Sequence, residues 1–298
     1  MREESAKVRE CESAKVGIEE GSAVRTVAIA GLGLIGGSLA RDLAARGVRV
    51  FAWDHDGAAM DSAIRQGIAH PGVWDDAPDV IVIALPVLAA RTFLDRLIDR
   101  LGKEMDGVRL VTDMGSTKAS IVRLAQARGI GDRFVGSHPL AGDHRSGWDA
   151  SREGLFRGAR VFLSPTPSTS DDAMRLARDL WTGVGALPEE VDADDHDARL
   201  AWTSHLPQLV SSALAQALAG EGIARGELGP GGRDVTRLAG SSPQMWAEVA
   251  LDNAGALVPA LEAMEARLRE VRHLIANGED APLRDLLARA REWHRESG

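Results

Sequence analysis

Along the first half of the chain, apolar residues cluster in short runs. They lie at 24–30, 48–53, 80–85, 109–112, 134–137 and 160–164, each rich in Val, Ile or Leu. Runs of this length without alternation predict strands buried on both faces. Between them, 34–46, 58–66, 88–101 and 118–128 carry apolar residues at intervals of three and four, the spacing of amphipathic helices. Strands alternating with helices imply βαβ units and a parallel sheet. After Pro165-Thr166-Pro167 the pattern changes. Leu and Ala recur at helical spacing almost to the end, and the largest break is the glycine-rich stretch 226–232. A domain boundary is expected near residue 167, with an all-helical domain over 168–298. Residues 1–22 read as a charged tail, in which Glu4-Ser5-Ala6-Lys7-Val8 recurs as Glu12-Ser13-Ala14-Lys15-Val16.

The first run ends in Gly31-x-Gly33-x-x-Gly36, which opens a helix through Leu34 and Ile35. In that context the glycines permit a tight turn, close approach of a pyrophosphate to the backbone, and helix–strand packing. The helix N-terminus then offers free N–H groups to the phosphates. The N-terminal 23–167 is therefore expected to be a Rossmann-type, doubly wound α/β domain. Asp54 closes the second run about twenty residues on, placed to bind ribose hydroxyls and to repel a 2′-phosphate. No Arg follows it directly, so NAD is expected as cofactor rather than NADP. Leu85 and Pro86 end the next run, and Asp113 the one after, so these three are also expected at the cofactor.

Composition narrows the setting. The chain is 44% hydrophobic and 27% charged, and with 4% aromatics and no Tyr its cores must be aliphatic. A net charge of −9 argues against a nucleic-acid or anionic-membrane surface, so an anionic substrate needs a local Arg or His cluster. The single Cys11 excludes an internal disulfide and fits a reducing cytoplasm. There is no apolar run long enough to span a membrane, and the charged N-terminus does not read as a secretory leader.

Three segments exceed what nucleotide binding needs. Thr112 to Lys118 and Gly136 to Gly142 each follow a strand, where ligands bind in open α/β sheets. The third set is helical, Ser204-His205-Leu206-Pro207-Gln208 with Arg233-Asp234-Val235-Thr236-Arg237. Together with the glycine motif, these resemble the prephenate/arogenate dehydrogenase family. The carriers are 31–40, Asp-x-Gly-Ser-x-Lys at 113–118, His-Pro-x-Ala-Gly at 138–142, 204–207 and Arg-Asp-x-Thr-Arg at 233–237.

The resemblance implies oxidative decarboxylation of prephenate to 4-hydroxyphenylpyruvate in tyrosine biosynthesis, with NAD as oxidant. It implies that His138 accepts the C4 hydroxyl proton and that Ser116 bridges that hydroxyl, His138 and the nicotinamide. Taken alone, Ser116 reads as a helix N-cap. Arg237, with Arg233 second, is implied to hold a substrate carboxylate; the alternative for Arg237 is an ion pair with Asp234. His205, Gln208 and His144 are implied to line the substrate pocket, Trp246 is either pocket wall or core, and Lys118 reads as a surface residue. Gln208 and the pair Asp143-His144 depart from the family pattern where a keto or amino group would be read. Arogenate (cyclohexadienyl) or amino-substituted prephenate therefore stays open as substrate. A β-hydroxyacid-type dehydrogenase would need a catalytic Lys in its helical half, and the chain has none after Lys118. A non-catalytic NAD-binding scaffold is a further alternative. No metal site is expected. Long apolar helices with few aromatics pair readily across a two-fold axis, so a homodimer through the helical domain is expected.

Overall fold

The computed structural model describes residues 24–72, 78–102, 107–142 and 145–296. The tail with Cys11, and the positions Asp143 and His144, lie outside the described residues. Eight strands form one sheet: β1 (Thr26–Ala30), β2 (Arg49–Trp53), β3 (His70–Pro71), β4 (Val80–Ile83), β5 (Leu110–Asp113), β6 (Phe134–Pro139), β7 (Arg160–Pro165) and β8 (Leu187–Glu190). Their order across the sheet is β3-β2-β1-β4-β5-β6-β7-β8. All neighbours are parallel except β6 and β7. Side chains alternate between faces, so Val27 and Ile29 enter one core and Ala28 the other. One face is covered by α1 (Leu34–Ala45), α2 (Gly57–Arg65) and α5 (Asp171–Gly183); the other by α3 (Val87–Leu101) and α4 (Ala119–Ala127). This is the doubly wound arrangement expected of the N-terminal half.

The boundary expected at residue 167 is corrected, because the sheet runs on to Glu190. α5 starts on a Ser170 N-cap, whose hydroxyl accepts the Ala173 N–H at 3.2 Å, and it returns the chain to β8 alongside β7. β8 reads Leu-Pro-Glu-Glu and is largely exposed, so it carries no apolar run. An edge strand tolerates that sequence, since proline need not donate there and charge blunts the edge.

Helical structure alone follows. α6 (Ala193–Leu200) starts on Asp192, whose carboxylate accepts the Asp194 and Asp195 N–H groups. It passes through a π-helical turn, Ala201–His205, directly into α7 (Leu206–Gly220). Pro207 explains the turn. In a regular helix its ring would strike the Thr203 carbonyl four residues back, and the widened turn avoids this. Then come α8 (Pro230–Val235), α9 (Pro243–Asp252), α10 (Ala254–Ala276) and α11 (Asp280–Glu296).

Candidate active site at the seam of the two halves

A cleft of about 810 Å³ opens at the C-terminal ends of β1, β2 and β4. Gly31 sits at φ +100°, and a Cβ there would lie 2.3 Å from the Ala84 carbonyl oxygen. A Cβ on Gly36 would lie 2.0 Å from the Gly31 carbonyl oxygen, whereas one on Gly33 would meet only open space. Two glycines therefore serve packing, and the third leaves a cradle that a side chain would fill. Leu34 and Ile35 form the first turn of α1, whose N–H groups lack helix acceptors and face the cradle. Asp54 Oδ2 accepts the Leu32 N–H at 2.5 Å and Oδ1 the Asp56 N–H at 2.8 Å. Its carboxylate is thus fixed at the rim, where it can still accept from ribose hydroxyls. Leu85, Pro86, Trp53 and Trp148 complete the walls.

Asp113 does not belong to this wall. Its side chain is 1% exposed and ion-paired with Lys118, and it accepts the Gly115 N–H at 2.8 Å and the Ser137 N–H at 3.3 Å. With its oxygens committed, Asp113 braces the loop after β5 and is withdrawn as a cofactor ligand. Lys118, read from sequence as a surface residue, is fully buried as that partner. The brace shapes the loop carrying Ser116, which is half-buried and makes no side-chain hydrogen bond among the described residues. Asp113 pairs with Gly136 across β5 and β6, so Ser116 and His138 follow adjacent strand positions.

Two residues that sequence reading missed stand behind His138. Its Nδ1 lies 2.9 Å from His196 Nε2, and His196 Nδ1 lies 2.7 Å from Asp197 Oδ1. Asp197 also accepts the Lys118 and Ala119 N–H groups at 2.8 and 2.9 Å, capping α4 from a different helix. Burial opposes ionisation of Asp197, but His196 and those two amides outweigh it and lower its pKa. For His138 desolvation comes first, with His196, Lys118 and His205 adding to it, and its pKa falls well below the usual histidine value. His138 is therefore neutral at pH 7.

From the helical half, His205 is 1% exposed at the end of the π turn. Asn253 Nδ2 donates to the Asp197 main-chain carbonyl at 2.8 Å and to His205 Nδ1 at 3.0 Å. A carbonyl can only accept, which fixes the amide orientation and leaves the His205 proton on Nε2. Desolvation lowers the His205 pKa to about 4, further reduced by His196 and opposed by Asp197. Gln208 Nε2 donates to the Leu238 carbonyl at 2.8 Å, and Ser211 Oγ to the Val235 carbonyl at 2.7 Å. These bonds clamp the segment carrying Arg237 onto α7. Arg237 is exposed and forms no ion pair with Asp234 among the described residues. Arg233 is also exposed and donates to the Gly226 carbonyl at 3.1 Å. Neither arginine touches the His138 cluster. His144 lies outside the described residues.

A glycine-cradled dinucleotide cleft, in a sheet that also carries a neutral histidine packed against the helical half, defines a nicotinamide-nucleotide oxidoreductase of two-domain type. The chain belongs to the prephenate dehydrogenase family. Residues 39–189 match the model of its nucleotide-binding domain and 192–289 that of its dimerization domain. A cyclohexadienyl dehydrogenase of Zymomonas mobilis is 33% identical over 205 residues, 67% of this chain and 68% of that protein. A prephenate dehydrogenase of Bacillus subtilis is 32% identical over 67% of this chain, which spans only 56% of the Bacillus protein. Among solved structures, prephenate dehydrogenase from A. aeolicus, in complex with hydroxyphenyl propionate and NAD+, superposes with a TM-score of 0.84 at 29% identity. That match covers 94% of this chain and all of the other. Arogenate dehydrogenase from Synechocystis gives 0.77 at 30% identity, covering 92% of this chain and all of its own. The cofactor of the cleft is NAD, in keeping with the nucleotide-binding model, the cradle at Gly33 and the carboxylate of Asp54.

Proposed function

We propose that the chain oxidatively decarboxylates prephenate to 4-hydroxyphenylpyruvate, the step that commits this carbon skeleton to tyrosine. The observation that carries this reading is His138. It is neutral, stands near the C-terminal end of β6 in the sheet whose strand ends hold the cofactor cleft, and has Nδ1 already engaged, so Nε2 remains for the substrate. NAD, when bound, supplies the two-electron acceptor. The protein's task is to orient C4 against it and to stabilise the oxygen-bound proton as C4 loses electrons. His138 Nε2 accepts that hydrogen bond most strongly when C4 is most electron-deficient, which lowers the barrier rather than the ground state. As CO2 leaves and the ring becomes aromatic, the proton returns to the phenol oxygen, and no net proton is consumed. Ser116, its hydroxyl unengaged, bridges substrate and His138. Arg237 supplies a planar donor for a substrate carboxylate.

A second reading concerns the substrate's side chain. His205 Nε2, Gln208 Oε1 and Trp246 Nε1 are all buried without a partner among the described residues. The His205 and Trp246 rings meet edge to face at 5.9 Å, and Gln208 lies one helical turn beyond His205. Buried polar atoms left open cost stability unless something satisfies them. Two N–H donors suit carboxylate or carbonyl oxygens, whereas the Gln208 carbonyl suits an ammonium. That acceptor favours arogenate or an amino-substituted analogue beside prephenate. The family's dimerization domain supports a homodimer, and a biosynthetic role supports a cytoplasmic site. Among the described residues no helix is long and apolar enough to cross a membrane.

The test is turnover of the purified protein with NAD or NADP against prephenate or arogenate, followed as reduced cofactor. No turnover with any pair sinks the enzyme reading; a kcat/KM higher for arogenate selects the second substrate. His138→Asn is expected to lower kcat by roughly 10²–10⁴-fold, the usual loss for a positioned proton acceptor. Near-normal turnover would remove His138 from the mechanism.

A further inference from the structure

His196 is fully buried, and both ring nitrogens are already bonded, Nδ1 to Asp197 and Nε2 to His138. The carboxylate can only accept, so the proton on that side belongs to His196 Nδ1. A neutral His196 then has a bare Nε2, which can only accept in turn. His138 must donate from Nδ1, and its own Nε2 is left without a proton. One charged end thus decides the tautomer two rings away. If instead His138 carried its proton on Nε2, two bare nitrogens would face each other at 2.9 Å.

The chain is pinned at its far end. Asp197 holds the first-turn N–H groups of α4, where a helix dipole favours negative charge. The Phe162 ring stands edge to face against His196 at 5.5 Å and excludes water from that side. Lys118, a buried cation whose field reaches His138, has its charge committed to Asp113.

We propose that His196 and Asp197 are positioning residues that hold His138 with a bare Nε2 toward the substrate and share the charge that builds on it. The proposal rests on the reading of His138 as the acceptor. As the substrate hydroxyl's hydrogen bond to His138 Nε2 strengthens, the His138 Nδ1 proton shifts toward His196 Nε2. Positive charge then spreads toward the Asp197 carboxylate, which itself stays ionised. When the ring aromatises, both protons move back.

Two substitutions separate holding from charge sharing. Gln at 196 can still accept from His138 Nδ1 through its amide oxygen but cannot become a cation; Phe can do neither. His196→Phe is expected to lower kcat by roughly 10- to 100-fold, the loss typical for a partner that orients a working ligand. KM for substrate and for NAD should stay within about twofold, since neither is touched. His196→Gln should fall between the Phe variant and the wild type. Wild-type kcat in the Phe variant overturns the proposal. So does a loss carried equally by both KM values, which would mark plain structural damage.

A spectrum decides independently, even if the variants fail to fold. With ¹⁵N-labelled histidine in the wild-type protein at neutral pH, His138 should show protonated Nδ1 and bare Nε2. The opposite tautomer overturns the relay. Full activity of His138→Asn alongside the expected spectrum would remove the catalytic reading and the charge sharing, leaving only the hydrogen-bond chain.

Discussion

In the nucleotide half, both faces of the sheet are sealed by broad apolar clusters, one running from Val27 to Ala186 and the other from Ala28 to Phe134 with Ala193 of α6 added. Among the described residues its buried polar atoms without partners, Asp42 Oδ2 and Ser164 Oγ, stand apart on α1 and β7. The helical half is built otherwise. Its own core holds Leu206, Leu257 and Ala260 fully buried, while Leu251, Leu287 and Trp293 are 74%, 59% and 71% exposed. Three polar atoms unpartnered among the described residues lie on the π turn, the start of α7 and α9, where the His205 and Trp246 rings meet. Apolar area left in water and polar atoms left without water are both unfavourable. The first half buries its apolar surface largely within its own sheet and helices; the second leaves more apolar surface exposed and more buried polar atoms open among the described residues.

If that contrast is right, damage to the first half should be local and severe. Gly36→Ala tests it most sharply, because the new methyl would lie 2.0 Å from a main-chain oxygen in the same loop. Only backbone movement relieves that contact, and the loop is the phosphate cradle. NAD affinity should fall by at least about 100-fold, near 2.7 kcal/mol, with helical content retained. Calorimetric titration giving an unchanged Kd would show that the cradle is not where the cofactor binds.

The seam between the halves should rank next. Asp252, at the end of α9, has a side chain only 2% exposed. It accepts from Arg91 at 3.0 Å and from the Thr117 and Ser120 hydroxyls at 2.7 Å each. Asp252→Ala leaves two hydroxyls and a guanidinium searching for partners. Arg91 is 42% exposed, so water recovers part of that loss. A fall in unfolding free energy of about 2–3 kcal/mol is expected, less than for a fully enclosed pair. A change below about 0.5 kcal/mol, the range of ordinary surface substitutions, would mean the halves dock by other means.

The same contrast decides what the sequence could reveal. Strands β1, β2 and β4 to β7 announce themselves because a doubly covered sheet needs continuous apolar runs. β8 is silent, because an exposed edge strand is free to be Pro-Glu-Glu. Ser116 and His138 were legible as polar residues just past such runs. His196 and Asp197 were not, since Asp194-Asp195-His196-Asp197 reads as the solvated first turn of a helix. Only packing of α6 against α4 and β7 buries the inner pair. A usable clue was Leu200, four residues past His196 on the same helical face. For Asp113 and Lys118 the error ran the other way. Two charges five residues apart looked like surface and ligand, and they pair because the loop folds Lys118 back beneath the strand.

The smallest expected effect is on acid stability, and it belongs to the helical half. His205 takes up a proton near pH 4 when folded, against about 6.5 for an ordinary histidine. Between those values the unfolded chain binds the proton and the native state does not. Unfolding therefore becomes easier as pH falls through that window, and the full contribution is present only above about 6.5. From pH 7 to pH 5 the loss from this one residue is about 1–2 kcal/mol. His138, whose pKa also lies well below the usual histidine value, adds in the same direction. Denaturant titrations at the two pH values measure the total, and His205→Gln should make the dependence shallower by about that amount. An equal slope in wild type and variant would mean that His205 is open to solvent, and would take the polar end of the helical half back from the substrate.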